Sequence, residues 1–183
     1  MTRAATIKPT LLFAGEQGNQ SANLHFSLSH TRGAALIGVA RDRELGVDIE
    51  WQRPLDDLHA MARCAMSSLE LERWLAMPPV ERTQGFYNVW TRKEAYLKAI
   101  GLGLYRNLQE VTVPVSASPF DARSDEAFLV QDDHIGSNWT LRDIPVNEGY
   151  SASVCRESCG TFDLAIEDLD ICRLSPVPAQ ANK

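Results

Sequence analysis

Cysteine is scarce in this chain. Cys64, Cys155, Cys159 and Cys172 are four in 183 residues. Cys155 and Cys159 stand four apart, but no second pair lies at zinc-ligand spacing, so ordinary reduced thiols are expected rather than a disulfide scaffold or a zinc site. Positive charge is also short, with 18 Lys and Arg against 24 Asp and Glu and a formal net charge of -6. That balance excludes a chain-wide nucleic-acid-binding surface. Long apolar runs are missing. Leu11 to Ala14 is too short for a signal-peptide core or a membrane span, which leads us to expect a cytoplasmic protein with no membrane partner. There is no internal repeat, heptad pattern or collagen period. What is present is ordinary globular composition, 44% hydrophobic and 23% charged, in a chain long enough for one domain or two small lobes.

The charge is uneven. Asn107 to Cys172 holds thirteen acidic residues against three arginines, whereas Trp51 to Arg106 holds eight basic residues against six acidic ones. Short strands are predicted at Leu24–Leu28, at the apolar run Ala34–Ala40 and at Leu45–Glu50, the last two joined as an antiparallel hairpin through the polar turn Arg41–Glu44. A helix is expected over Leu55–Met66. Ser67-Ser68-Leu69-Glu70 has capping-box form and should start a further helix through Trp74. After Pro78 and Pro79, a long helix should run from Val80 to Ile100, with Gly101 as its C-terminal cap. Beyond it, Val111–Val115, Phe128–Gln131, Trp139–Ile144 and Tyr150–Cys155 read as strands, Phe162–Ile171 more weakly, and the segment from Ser175 as a loose tail. The fold class expected is α+β, with antiparallel sheets packed against helices.

Two acids stand out on the third strand. Residues i and i+2 of a strand face the same way, so Asp48 and Glu50 share one face and Val47 and Ile49 the other. The two carboxyl-bearing positions are about 6.6 Å apart along the strand. At that spacing two unit charges repel by roughly 2.5 kcal/mol at an effective dielectric of about 20. An exposed edge strand would tolerate that. In the long helix, Phe86, Trp90, Glu94 and Leu97 lie on one stripe, so a carboxylate sits on the apolar face, where it needs a partner. Lys98, four residues on, supplies one in the favourable order, and that intrahelical pair is the plain explanation. A second explanation takes in Lys93 as well. Two ammonium groups beside a carboxylate, near a paired carboxylate face, suit a phosphate bridged by a divalent metal. Mg²⁺ takes a few carboxylate oxygens and fills its octahedron with phosphate and water, and lysines meet phosphate as cations.

Three stretches, in order, resemble a known family. They are Phe26-Ser27-Leu28-Ser29-His30, Gly46-Val47-Asp48-Ile49-Glu50, and Trp90-Thr91-Arg92-Lys93-Glu94-Ala95-Tyr96-Leu97-Lys98, continued as Ala99-Ile100-Gly101-Leu102-Gly103-Leu104. With the later stretch from Trp139 to Ala152, they make the chain similar to a 4'-phosphopantetheinyl transferase of the Sfp type, over about residues 24 to 155. The resemblance implies two similar α+β lobes with coenzyme A in the cleft. It implies Mg²⁺-dependent transfer of the phosphopantetheine arm of coenzyme A to a serine of an acyl or peptidyl carrier protein, releasing adenosine 3',5'-bisphosphate. By position, Asp48, Glu50 and Glu94 would hold Mg²⁺, with a water completing the shell because Ile49 stands where some relatives have a third acid. Glu94 would accept the serine proton, Lys98 would stabilise or protonate the departing phosphate, Lys93 would contact phosphate, and Ser29 with His30 would bind the 3'-phosphate end of the coenzyme. Glu70 aligns with a family acid, although its place in the capping box explains it. Charge alone suggests Arg53, Arg63, Arg73 and Arg92 for docking an acidic carrier.

The family usually has about a full lobe before the first motif, and here 25 residues precede Phe26. The expected organisation is therefore a remnant of the first lobe over residues 1–45, a transferase lobe over 46–174 and a tail over 175–183. Two other readings accompany the transferase. One is a catalytically weak module that keeps a coenzyme A or carrier site without its first lobe. The other is a Mg²⁺-dependent pyrophosphate hydrolase.

Overall fold

A computed structural model describes residues 24–101, 107–118, 128–130, 138–157 and 165–167. It is α+β with antiparallel sheets packed against helices, as expected. The chain opens with a hairpin, β1 (Leu24–Thr31) and β2 (Ala34–Arg41), paired antiparallel with Ser29 opposite Leu36 and Leu28 opposite Ile37. Next comes β3 (Leu45–Trp51), then α1 (Leu58–Ala65), α2 (Ser68–Ala76), a 3-10 turn at Pro79–Glu81 and the long α3 (Arg82–Ile100). A further 3-10 turn, Leu108–Glu110, leads to β4 (Phe128–Val130), β5 (Trp139–Asp143) and β6 (Tyr150–Glu157). The larger sheet has the order β3-β6-β5-β4. Among the described residues no helix is long and apolar enough to cross a membrane.

The expected hairpin of residues 34–40 with 45–50 does not form. β2 pairs back onto β1, closed by the turn at Arg32 and Gly33, whereas β3 pairs with β6, setting Asp48 opposite Ser153. The cause lies in burial. Leu45 to Ile49 is buried at every position, so both faces of β3 are covered. Its Val47 and Ile49 side joins Ile144, Ala152 and Val154 in a small core closed by Ala34 and Leu36 of the hairpin.

Local chemistry sets the helix limits. α1 starts at Leu58 rather than Leu55 because the Asp57 side chain accepts the Ala60 N–H and caps it there. The Ser67 capping box forms in both directions. Gly101 stops α3 in the left-handed conformation at φ 71°, the region glycine enters without cost. Val111–Val115 is not a strand. Pro114 has no N–H to give, and the Val113 N–H goes to the Glu70 carboxylate at 2.7 Å instead of to a neighbouring strand. β4 is described over Phe128–Val130, with Gln131 outside the described residues; β5 ends at Asp143, and β6 runs on to Glu157. Most of the Phe162–Ile171 stretch, the segment from Ser175 and residues 1–23 lie outside the described residues.

α3 is buried nearly all round because it packs between the sheet and α1 and α2. The main core gathers Ala62, Met66, Trp74, Phe86, Val89, Tyr96, Leu97, Trp139 and Leu141. Polar groups on the sheet side of α3 are matched across the interface. Ser151 Oγ donates to Asn88 Oδ1 at 2.6 Å, and the hydroxyls of Thr91 and Ser153 are hydrogen-bonded at 3.1 Å. The fully buried Arg92 grips Asp143 through both Nε and Nη2 and also donates to the carbonyl of Pro114. Arg92 therefore cannot dock a carrier protein. Its guanidinium joins α3 to β5 inside the fold.

Candidate active site

β3 and α3 meet at Gly46. A Cβ built there would stand 2.1 Å from Ala95 O and 2.3 Å from Ala99 N, so only glycine lets the strand lie this close to the helix backbone. Two residues on, Asp48 is buried on the same side of β3. Glu94 and Lys98 lie one helical turn apart on α3, flanking this contact. Asp48, Glu50, Glu94 and Lys98 are thereby brought within electrostatic reach of one another.

Lys98 Nζ donates to Asp48 Oδ1 at 2.6 Å and to Ser29 Oγ at 3.0 Å. Ser29 Oγ in turn donates to Asp48 Oδ1 at 2.8 Å. The other Asp48 oxygen, Oδ2, is buried with no hydrogen-bond partner, and so is Glu94 Oε1. Burial pushes the Glu94 carboxyl above its usual range; the charge of Asp48 adds to this, Lys98 opposes it and Glu50 adds a smaller push. Glu50 is likewise raised, first by burial and then by Asp48. Lys98, a hydrogen bond from the Trp90 side chain, and Arg53 pull it back. Two buried carboxylate oxygens without partners are costly unless something positive meets them. They are hard oxygen donors of the kind Mg²⁺ accepts. Among the described residues no three His, Cys, Asp or Glu side chains converge into a ready-made metal cage.

Lys93 is placed elsewhere. Its side chain is fully buried, and Nζ donates to Glu70 Oε2 at 2.5 Å and to the carbonyls of Ala65 and Leu108, each at 2.8 Å. All three N–H donors of an ammonium are thus taken within the protein, so the expected phosphate contact does not fit its position. Helical geometry explains the difference. Lys93 is adjacent to Glu94 in sequence, but adjacent residues on a helix point about 100° apart, and Lys93 faces α1 and α2. Burial lowers its pKa, and the Glu70 charge and hydrogen bond partly restore it.

Ser29 and His30 also part company. Successive strand residues face opposite ways, so Ser29 is buried toward Asp48 while His30 is exposed on the far face of the hairpin. They cannot grip one phosphate together from these positions. Three further residues, Trp90, Ser27 and Thr31, join the site although the sequence reading gave them no role there. Trp90 hydrogen-bonds Glu50. Ser27 and Thr31 flank Ser29 on the inner face of β1, and their hydroxyls accept the N–H groups of Val47 and Trp51, each at 3.1 Å. The period-two run Ser27, Ser29, Thr31 is the signal that marks this polar inner face. Among the described cysteines, Cys64 is exposed and Cys155 buried, both free, and burial pushes the Cys155 thiol up.

The sequence pattern of the 4'-phosphopantetheinyl transferase superfamily matches residues 44–155. The chain is 36% identical over 95 residues to the 4'-phosphopantetheinyl transferase HetI of Nostoc sp., covering 52% of this chain and 40% of HetI. It is 33% identical over 134 residues to the 4'-phosphopantetheinyl transferase AcpT of Salmonella typhimurium, covering 70% of this chain and 69% of AcpT. To the 4'-phosphopantetheinyl transferase Sfp of Bacillus subtilis it is 27% identical over 131 residues, 72% of this chain and 54% of Sfp. The chain thus spans less than half the length of HetI and a little over two thirds of AcpT.

Proposed function

Because the chain belongs to the 4'-phosphopantetheinyl transferase superfamily, we propose that it moves the phosphopantetheine arm of coenzyme A onto a serine of an acyl or peptidyl carrier protein, with Mg²⁺, as an Sfp-type member. The single observation that carries this reading is the pair of partnerless buried oxygens, Asp48 Oδ2 and Glu94 Oε1, beside the Lys98 ammonium. The ordered motifs from Phe26 to Leu104 support the Sfp-type assignment.

In this reading Asp48 and Glu94, with Glu50 beside them, are the residues that would hold Mg²⁺. When bound, the ion neutralises the charge of the coenzyme diphosphate. In the metal-free protein burial raises the Glu94 carboxyl above its usual range, and a carboxylate placed there can serve as the base. It takes the proton from the carrier serine hydroxyl. The serine oxygen bonds to the phosphorus that bears the pantetheine arm, and the bond from that phosphorus to the adenosine bisphosphate oxygen breaks. Lys98 holds Asp48 and Ser29 with two of its three N–H groups. The third stabilises the negative charge that gathers on the leaving oxygen. Positioning and charge neutralisation are the main catalytic demands of phosphoryl transfer. His30, exposed on the hairpin, remains a candidate for the 3'-phosphate. An acidic carrier would meet the exposed arginines Arg53, Arg63 and Arg73. We place the reaction in the cytoplasm, where both coenzyme A and carrier proteins are met.

Incubating the protein with coenzyme A, Mg²⁺ and an apo carrier protein tests the reading. A carrier mass increased by one phosphopantetheine arm supports it. Coenzyme A binding without that increase selects a binding module instead, and adenosine bisphosphate released without any carrier selects a hydrolase. Lys98→Ala should slow transfer by about 10²–10³-fold with a smaller effect on coenzyme affinity.

A further inference from the structure

β3 is an edge strand of the larger sheet, so one row of its backbone N–H groups has no strand to pair with. β1 supplies partners from side chains. The N–H groups of Val47, Ile49 and Trp51 donate to Ser27 Oγ, Ser29 Oγ and Thr31 Oγ1 at 3.1, 3.3 and 3.1 Å. Each hydroxyl stands twenty residues before its donor, so two period-two patterns run in step. Ser27 and Thr31 have this bond to β3. Ser29 has two more, giving its proton to Asp48 Oδ1 and accepting from Lys98 Nζ.

A serine hydroxyl offers one donor and two acceptor sites, and for Ser29 all are taken. The group is buried and saturated, which is the wrong chemistry for a coenzyme ligand and the right one for a tether. It holds the strand acid to the helix lysine. Ser29 Oγ and Lys98 Nζ both donate to Asp48 Oδ1, and Asp48 Oδ2 is left without a partner. We propose that Ser29 is a positioning residue: by tying Lys98 and Asp48 Oδ1 together, it fixes the carboxylate so that Oδ2 is presented to a divalent cation. This deepens the reading above and rests on its assignment of Asp48 to that cation.

Ser27 provides the matched control. Ser27→Ala and Ser29→Ala each strand one β3 N–H, but only Ser29→Ala also removes a contact to Asp48 and Lys98. The experiment is Mn²⁺ binding by the full chain, followed by electron paramagnetic resonance, with unfolding by denaturant measured on the same samples. Losing a partner that orients a metal ligand typically weakens binding by about 10–100-fold, and that is the loss expected for Ser29→Ala. Ser27→Ala should leave Mn²⁺ affinity unchanged while costing similar stability, and Ser29→Thr should restore most of the affinity. Equal affinities for the two alanine variants would overturn the proposal, as would the absence of Mn²⁺ binding by the wild type. Failure of transfer to a carrier, with the Mn²⁺ pattern intact, would sink the transferase reading and leave the role of Ser29 standing.

Discussion

Gly46 touches the backbone of Ala95 so closely that a Cβ on Gly46 would stand 2.1 Å from the Ala95 carbonyl oxygen. This contact is what brings the acids of β3 up to Glu94 and Lys98. The obstruction is helix backbone, which cannot swing aside as a side-chain tip can. Gly46→Ala should therefore cost at least the 1–3 kcal/mol usual for overpacking. It should also reduce transfer beyond what the loss of folded protein explains, because α3 must retreat from β3. Urea unfolding and activity per folded molecule check both parts.

Lys93 and Glu70 are both completely enclosed. Removing one member of a buried pair leaves the other charge uncompensated, which typically costs about 3–5 kcal/mol. Lys93→Ala should lose that much stability, whereas Lys93→Met with Glu70→Gln should lose much less, since the glutamine can still accept the Val113 N–H. A Lys93→Ala protein of normal stability but poor coenzyme affinity would return this lysine to the phosphate.

The raised carboxyl of Glu94 gives a pH signature with a definite sign. In the metal-free protein the folded state holds the Glu94 proton more tightly than the unfolded chain does. Its contribution to stability is full below the unfolded pKa and is lost as pH rises through the folded one. Glu94→Gln should thus match the wild type in mild acid and become the more stable of the two as pH rises, while its transfer activity falls steeply. Wild-type transfer should rise over the same window, above the usual carboxylate value of about 4.3. Thermal melts in a chelator, with and without added Mg²⁺, test the assignment. Mg²⁺ should narrow the gap by offsetting the buried negative charge.

Arg63 and Arg73 are exposed on α1 and α2, in contrast to the buried Arg92. Arg63→Glu with Arg73→Glu should raise KM for an acidic carrier, leave kcat unchanged and weaken the salt dependence of binding. Arg92→Ala should instead unfold the protein at a lower urea concentration, because it strands Asp143. If binding is insensitive to salt and to both charge reversals, these arginines do not dock the carrier.

The helices were legible because their signals are local. Ser67 and Glu70 close a box within one turn, Gly101 stops the long helix where it was expected to stop, and the stripe through Phe86 and Leu97 marked a buried helix. Strand periodicity put Asp48 and Glu50 on one face and helix periodicity put Glu94 on the apolar stripe; that the three come together was implied only by the family resemblance of their motifs. Strand partners were not legible in the same way. β2 and β3 are neighbours in sequence, yet β3 pairs with a strand about a hundred residues away, and nothing local records which distant edge a strand will meet.

The order of residues alone determined the local pattern: two acids spaced by two on a strand, and an acid and a lysine spaced by four on a helix. Tertiary structure decided which of their neighbours join them. Lys93 and Arg92 precede Glu94 in sequence and both turn inward, where Glu70 and Asp143 neutralise them. Ser29 turns inward as well, and its hydroxyl is fully occupied by Asp48, Lys98 and the Ile49 N–H. The physical reason is that a side chain's direction follows from its own backbone, whereas the charge it meets there comes from segments far along the chain.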